Sequence, residues 1–336
     1  MRPFAFIEPE SVDQATAALA APGGTARLLA GGVDLIGELK DDLVEAAMLV
    51  DLKAVRGLSA LRFDADGTLR IGALVTLATL AGDPRVRRDF PAIAQAAASV
   101  GSPEIRNVGT VGGNLCQRPR CWYYRSAAHR CLKKGGDVCF TVNGESRYNA
   151  ILGGGPSFIV HPSDLAPALV ACRARVLCAS PAGRRELPIE EFYLLPEARL
   201  DHETALRPAE IVTEVTVPAT ASAGAGVASL YLKFREKDSM DFALASVALA
   251  ATLRDGTLYS PRVVLGGIAP IPWRSKEAEQ ALDGREPTAA NASAAADAAL
   301  ARAVPLPHNA YKVPLTKGLI REAVDTLARG AGGGAS

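Results

Sequence analysis

The sequence has little of what usually marks a specialised chemistry or location. Aromatic residues make up 5% of it, and histidine occurs only four times. None of those histidines sits in an HExxH pattern or a Ser-His-Asp order, so metallohydrolase and serine-hydrolase chemistry have no visible basis. An excess of one charge is also missing: 37 Lys and Arg face 36 Asp and Glu, a formal net charge of +1. That balance gives no global attraction to nucleic acid or to an acidic membrane. No stretch approaches the run of about 20 apolar residues that spans a bilayer. The opening "MRPFAFIEPESVDQATAALA" lacks the basic segment and apolar core of a secretory signal. The expectation is a cytoplasmic protein without membrane insertion, periplasmic only if exported with a signal-bearing partner.

The chain does have length and apolar content. Its 336 residues, 49% hydrophobic, suffice for two or three domains with their own cores, in the composition range of α/β or α+β proteins. Ser11 and Gln14 have capping-box spacing ahead of an Ala-rich helix. "ARLLAGGVDLIGELK" reads as a strand, a Gly-Gly turn and a helical run, "AAMLVDL" (46–52) as a strand, and "LRIGALVTLATL" (69–80) as a strand turning into a helix. "FPAIAQAAASVGS" is a helix with Pro91 at its permissive first position. The glycine-rich "IRNVGTVGGNL" reads as too irregular for helix. A small-residue linker at 219–227 precedes a strand, a polar loop, two further strands and three helical stretches. In the last of these Leu319, Ala323 and Leu327 share a face, and the glycine-rich end at 330–336 reads as frayed. No fixed-period repeat is present.

Four of the six cysteines crowd into "GNLCQRPRCWYYRSAAHRCLKKGGDVC", residues 113–139. A metal or iron–sulfur site, a disulfide framework and buried structural cysteines all compete as readings. A reducing cytosol disfavours disulfides. Cys172 and Cys178 differ: with Ala174 and Val176 they share one face of a strand, opposite Arg173 and Arg175, and read as core.

Two glycine-rich turns, "AGGVDL" (30–35) and "GTVGGN" (109–114), let backbone approach a ligand and aim successive N–H groups at phosphate oxygens. Neither is a Walker A motif or a GxGxxG fingerprint, and each alone also reads as a plain turn.

In order along the chain, "LLAGGVDL", "IGALVTL", "IRNVGTVGGNL", "HPSDLAPAL", "YLKFREKDSMDFALASVA" and "VVLGGIAPIPWR" resemble the flavin-binding (medium) subunit of the xanthine dehydrogenase/aldehyde oxidase/carbon monoxide dehydrogenase family of molybdenum hydroxylases. The resemblance covers essentially the whole chain. It implies an α+β fold: a two-lobed FAD-binding domain at 1–220, with lobes at about 1–55 and 56–220, then a C-terminal domain at 228–330. The resemblance implies that the backbone of Ala30, Gly31, Gly32, Val33 and Asp34, and of Thr110 to Asn114 with Gly112 and Gly113, cradles the FAD pyrophosphate, and that Leu35 and Asn107 also bind the cofactor. Val33 stands where the family often has Thr or Ser, so one hydroxyl contact is missing. Asp164 would meet the ribityl or adenosine part, and Lys233 the flavin edge. Blander readings remain open: Asp34 as an acid in a helix's first turn, and Lys233 as an exposed strand residue.

A subset of the family, similar to the flavin subunit of periplasmic aldehyde oxidoreductase, carries an extra [4Fe–4S] cluster in an insertion here matched by about 116–157. The resemblance implies Cys121, Cys131 and Cys139 as ligands, with Arg118, Arg120, Arg125, Arg130, Lys133 and Lys134 supplying a positive field. Those charges also read as a solvated loop or as a face for an acidic partner. The family's fourth cysteine is replaced by Ser157, which leaves Cys116, Ser157 or a three-iron cluster to complete the site. Zinc held with His129 is a further alternative, and Trp122, Tyr123 and Tyr124 either shield the site or form local core. His161 is expected to shape a turn, and His202 and His308 have no evident partner.

The implied function is an electron-transfer flavoprotein subunit of a heterotrimer. It would pass electrons from [2Fe–2S] clusters of a small subunit through FAD to an external acceptor, while a large subunit with the molybdenum cofactor oxidises aldehydes or N-heterocycles. The alternatives are a stand-alone FAD oxidoreductase and a zinc-stabilised binding module.

Overall fold

The computed structural model describes residues 1–21 and 25–332, arranged around three sheets. The first holds β1 (Ala5–Ile7), β2 (Ala26–Leu29) and β3 (Met48–Asp51) in the order β1-β3-β2, all parallel. Parallel neighbours need crossovers, and the helices Val12–Ala20 and Leu35–Lys40 provide them. The forward half of the cap forms as its spacing predicts, Ser11 Oγ accepting from the Gln14 N–H, while Gln14 Oε1 accepts from the N–H of Glu10, one residue before the cap.

The second sheet is antiparallel, with β4 (Leu61–Phe63), β5 (Leu69–Gly72), β6 (Arg175–Ser180), β7 (Gly183–Pro188) and β8 (Ile211–Val217) in the order β4-β5-β8-β6-β7. The helices Leu77–Gly82, Pro91–Ala98 and Leu165–Ala171 share its core, where Leu69, Ile71, Phe90, Ile93 and Leu165 are fully buried. The third sheet, also antiparallel, orders β9 (Val227–Phe234), β10 (Ala245–Arg254), β11 (Thr257–Gly266) and β12 (Trp273–Arg274) as β12-β11-β10-β9. Three helices, Lys276–Leu282, Ala289–Leu300 and Lys312–Gly332, cover it, and Leu319, Ala323 and Leu327 are buried as their spacing predicts.

The small-residue segment does not isolate this third sheet. It forms two short 3-10 turns, and Tyr231, Ala248, Ala250 and Val264 join the same buried cluster as the second sheet. The Gln95 side chain accepts from the Tyr231 N–H at 2.8 Å, stitching the two sheets together.

Three local expectations are corrected. Residues 103–115 form two short helices, Pro103–Val108 and Val111–Leu115, because Ser102 and Thr110 cap them and Pro103 suits a first turn. Cys172 is not on a strand: it ends the helix Leu165–Ala171, Arg173 turns the chain at φ 57°, and β6 starts at Arg175. Cys172 and Cys178 are nonetheless both fully buried. The last helix runs through Gly330 to Gly332, and the rest of the end expected to fray, 333–336, lies outside the described residues.

Candidate functional site

The two glycine-rich stretches meet. A Cβ on Gly31 would stand 1.9 Å from the Val108 carbonyl oxygen, so only glycine allows this contact. Gly32 has φ 74°, a left-handed conformation that glycine adopts without strain. Among the described residues, no acceptor meets the N–H groups of Gly31, Gly32, Val33 or Asp34. Four successive free donors at a half-buried turn make an anion-binding nest.

The second stretch is different. Val111 and Gly112 donate to the Val75 and Ala73 carbonyls, Gly113 to Thr110 Oγ1 and Asn114 to the Thr110 carbonyl. Its amides are therefore committed within the protein, and its contribution is close approach and side chains. Asn114 Oδ1 accepts from Ser163 Oγ at 2.6 Å, while Asn107 is exposed on the neighbouring helix. Val33 and Val108 leave apolar surface exposed at this junction, at 39% and 51%.

Asp34 keeps its backbone N–H in that donor row, but its side chain departs from the reading as an acid in a helix's first turn. It makes no side-chain cap to its helix; its carboxylate accepts from the Arg118 N–H and from Arg125, each at 2.7 Å, and pairs with Arg120 at 2.9 Å. The glycine turn and the cysteine-rich segment are thus tied through one acid. Two more acids hold that segment. Glu38 accepts from the Tyr124 hydroxyl at 3.1 Å, and burial pushes its carboxyl pKa up. Glu203 lies 2.7 Å from both Lys133 and Arg118. Arg118, Arg120, Arg125 and Lys133 are therefore paired with acids inside the fold, while Lys134 donates to the Ser126 carbonyl and Arg130 is exposed. Nothing local in "RLDHETAL" marks Glu203 as an anchor.

Cys121, Cys131, Cys139 and Ser157 line one small space, walled by Tyr123, Tyr124, Leu132, Phe140 and Ile159. It has room for about one water. Cys131 and Cys139 each immediately precede a short 3-10 turn, which brings both thiols to this space. Burial raises the Cys121 thiol pKa. Cys116 does not line the space: it packs against the core of the second sheet, where burial pushes its thiol up to about 12. His129 is also elsewhere, hydrogen-bonded to Ser126 Oγ and set edge-on between Tyr123 and Phe140. Trp122 is 60% exposed, packs against Tyr148 and lines a second small space beside Cys121. Among the described residues, no three His, Cys, Asp or Glu side chains stand close enough to hold a single metal ion.

Asp164 and Lys233, from different sheets' surroundings, form a buried ion pair at 2.7 Å. The Tyr231 hydroxyl donates to the other oxygen of Asp164, also at 2.7 Å. Lys233 is therefore not an exposed strand residue, and Tyr231 is a partner that the sequence reading missed; its alternation with Lys233 along β9 was the available signal. His161 is buried, its Nδ1 accepting from the Ser163 N–H and its ring edge-on to Tyr193. Burial lowers its pKa to about 3, which keeps it neutral. His202 and His308 do have acidic neighbours, Asp201 at 2.7 Å and Glu145 at 3.7 Å.

Residues 2–220 match the family described as the FAD binding domain in molybdopterin dehydrogenase, and residues 229–327 match the CO dehydrogenase flavoprotein C-terminal domain. The chain is 37% identical over 309 residues to the aldehyde oxidoreductase FAD-binding subunit PaoB of Escherichia coli, covering 90% of this chain and 92% of that one. It is 29% identical over 299 residues to the carbon monoxide dehydrogenase medium chain of Hydrogenophaga pseudoflava, covering 89% and 86%. A solved structure of carbon monoxide dehydrogenase from that organism, lacking the Mo-pyranopterin moiety, superposes with a TM-score of 0.76 at 28% identity, over 97% of this chain and 98% of that one.

Proposed function

The chain belongs to the FAD-binding subunits of the molybdenum hydroxylases, and from that premise we propose how its residues serve the role. One observation carries the proposal: the free N–H groups of Gly31 to Asp34, pressed against Val108, form a donor row suited to a pyrophosphate. Ala30 and Leu35 bound this row. Thr110, Gly112, Gly113 and Asn114 hold the adjoining wall, with Asn107 at its rim. Val33 brings no hydroxyl, so the turn binds through backbone alone. Asp164 and Lys233 fix each other beside this wall, through Ser163 and Asn114, and set a polar boundary for the rest of the cofactor. When bound, FAD supplies the redox chemistry, taking two electrons and releasing them singly or in pairs, while the protein contributes position and electrostatics.

The proposal extends to partners. The electrons come from a small subunit with [2Fe–2S] clusters, and substrate is oxidised on a large subunit with the molybdenum cofactor; an external acceptor takes the electrons away. The similarity to an aldehyde oxidoreductase subunit favours aldehydes over N-heterocycles as the substrate class. The domain division remains 1–220 and 228–330, with the assembly in the cytoplasm unless a partner exports it. No helix among the described residues is long and apolar enough to cross a membrane.

The cysteine-rich segment is proposed to hold a [4Fe–4S] cluster. Its support is the donor set: three cysteines and a serine line one small space, with Lys133 and Thr141 also on its wall, and thiolates suit iron–sulfur ligation. A single tetrahedral zinc needs all its donors within about 2.3 Å of one point, whereas a cluster spreads one ligand to each iron. Among the described residues no three such donors stand close enough for one ion, which counts against zinc.

The test is anaerobic purification of the chain with its partner subunits, with flavin, iron and zinc measured on one sample. About one FAD per chain supports the proposal. No flavin, even after FAD is added, refutes it, and aldehyde turnover by the isolated chain would favour the stand-alone oxidoreductase.

A further inference from the structure

The geometry points to Ser157, not Cys116, as the fourth ligand of the cluster, giving a site of three thiolates and one serine oxygen. The inference rests on the cluster reading above and concerns which side chain completes it. Ser157 is 2% exposed and lines the same space as Cys121, Cys131 and Cys139.

Cys116 is positioned against such a role. It ends the helix Val111–Leu115 and packs into the core of the second sheet, beside Tyr193 and close to Cys178. Reaching the other thiols would require that helix end to leave its core. Ser157 already lies on the wall of the space, on the loop between Ala150 and Phe158 whose ends are joined by a backbone hydrogen bond of 2.9 Å.

An alkoxide is a harder donor than a thiolate and favours ferric over ferrous iron. One iron of this cluster is therefore chemically distinct, and its reduction potential lies below that of an all-cysteine site.

The experiment uses the full complex, purified anaerobically, as wild type, Ser157→Ala, Ser157→Cys and Cys116→Ala, with flavin content reporting the fold. Counting iron beyond that of the small subunit's [2Fe–2S] clusters, wild type and Cys116→Ala are expected to hold about four irons per flavin. Ser157→Ala is expected to hold about three, with the EPR signal of an oxidised three-iron cluster. Ser157→Cys keeps about four and is reduced at higher potential. Four irons in Ser157→Ala, iron loss in Cys116→Ala, or only three irons in wild type each overturns serine ligation. Full flavin with no iron beyond the small subunit's clusters in wild type overturns the cluster reading itself and leaves the FAD proposal standing. Absent flavin strikes that proposal instead.

Discussion

Replacing Lys233 with methionine keeps an unbranched apolar stem and removes the ammonium that Asp164 faces. Both side chains are 4% exposed and 2.7 Å apart, so the variant strands a buried carboxylate. Removing one partner of a buried pair costs about 3–5 kcal/mol, because the remaining charge loses its compensation. Two contacts soften the loss. The Tyr231 hydroxyl still donates to Asp164, and the Ser99 carbonyl, which accepts from Lys233 at 3.1 Å, keeps Arg235 at 3.3 Å. The expected cost is therefore near the lower end, about 3 kcal/mol. Adding Asp164→Asn removes the stranded charge, so the double variant should be less destabilised than the sum of the singles by about 1–3 kcal/mol. The assay is equilibrium urea unfolding of all four proteins, followed by fluorescence and far-UV circular dichroism. Trp122 lies in the cysteine-rich segment and Trp273 in β12, so fluorescence reports on that segment and on the third sheet. Coincident transitions license the free-energy comparison. A Lys233→Met cost below about 1 kcal/mol, or strict additivity, would refute a buried pair that joins the two parts of the fold.

Gly31→Ala puts a Cβ 1.9 Å from the Val108 oxygen, so the two glycine stretches must part by about 1 Å. Bound flavin should fall below half of wild type with the circular dichroism spectrum intact, and full flavin retention would count against the nest. Lys312 is wholly buried and donates to the Gly267 carbonyl at 2.7 Å; burial pushes its pKa down from 10.5 to about 7. Unfolded, the amine stays protonated to about pH 10, so between pH 7 and 10 the unfolded chain binds more protons and stability rises with pH. Lys312→Met should remove that rise, which the wild-type-minus-variant urea midpoint at pH 7 and pH 9.5 would show; an equal difference at both would sink the argument.

Local rules carried the sequence reading wherever a structure closes within a few residues. Ser11 capping, the strands at 26–29, 48–51 and 69–72, Pro91 at a first turn and the buried stripe of Leu319, Ala323 and Leu327 all depend on near neighbours and periodicity. The same rules misjudged residues 103–115, where the glycine count outweighed two good caps at Ser102 and Thr110. The order of the glycine motifs sufficed for the family. What the sequence could not carry was the choice of distant partners. Asp34 looks like any acid opening a helix until Arg118, Arg120 and Arg125 arrive from more than 80 residues away. Cys116 lies five residues from Cys121 yet turns into a different core, while Ser157 crosses a longer stretch to stand with the thiols. Chain proximity fixes neither case: which face of a short helix is buried, and which loop returns beside another, is settled by packing of the whole core.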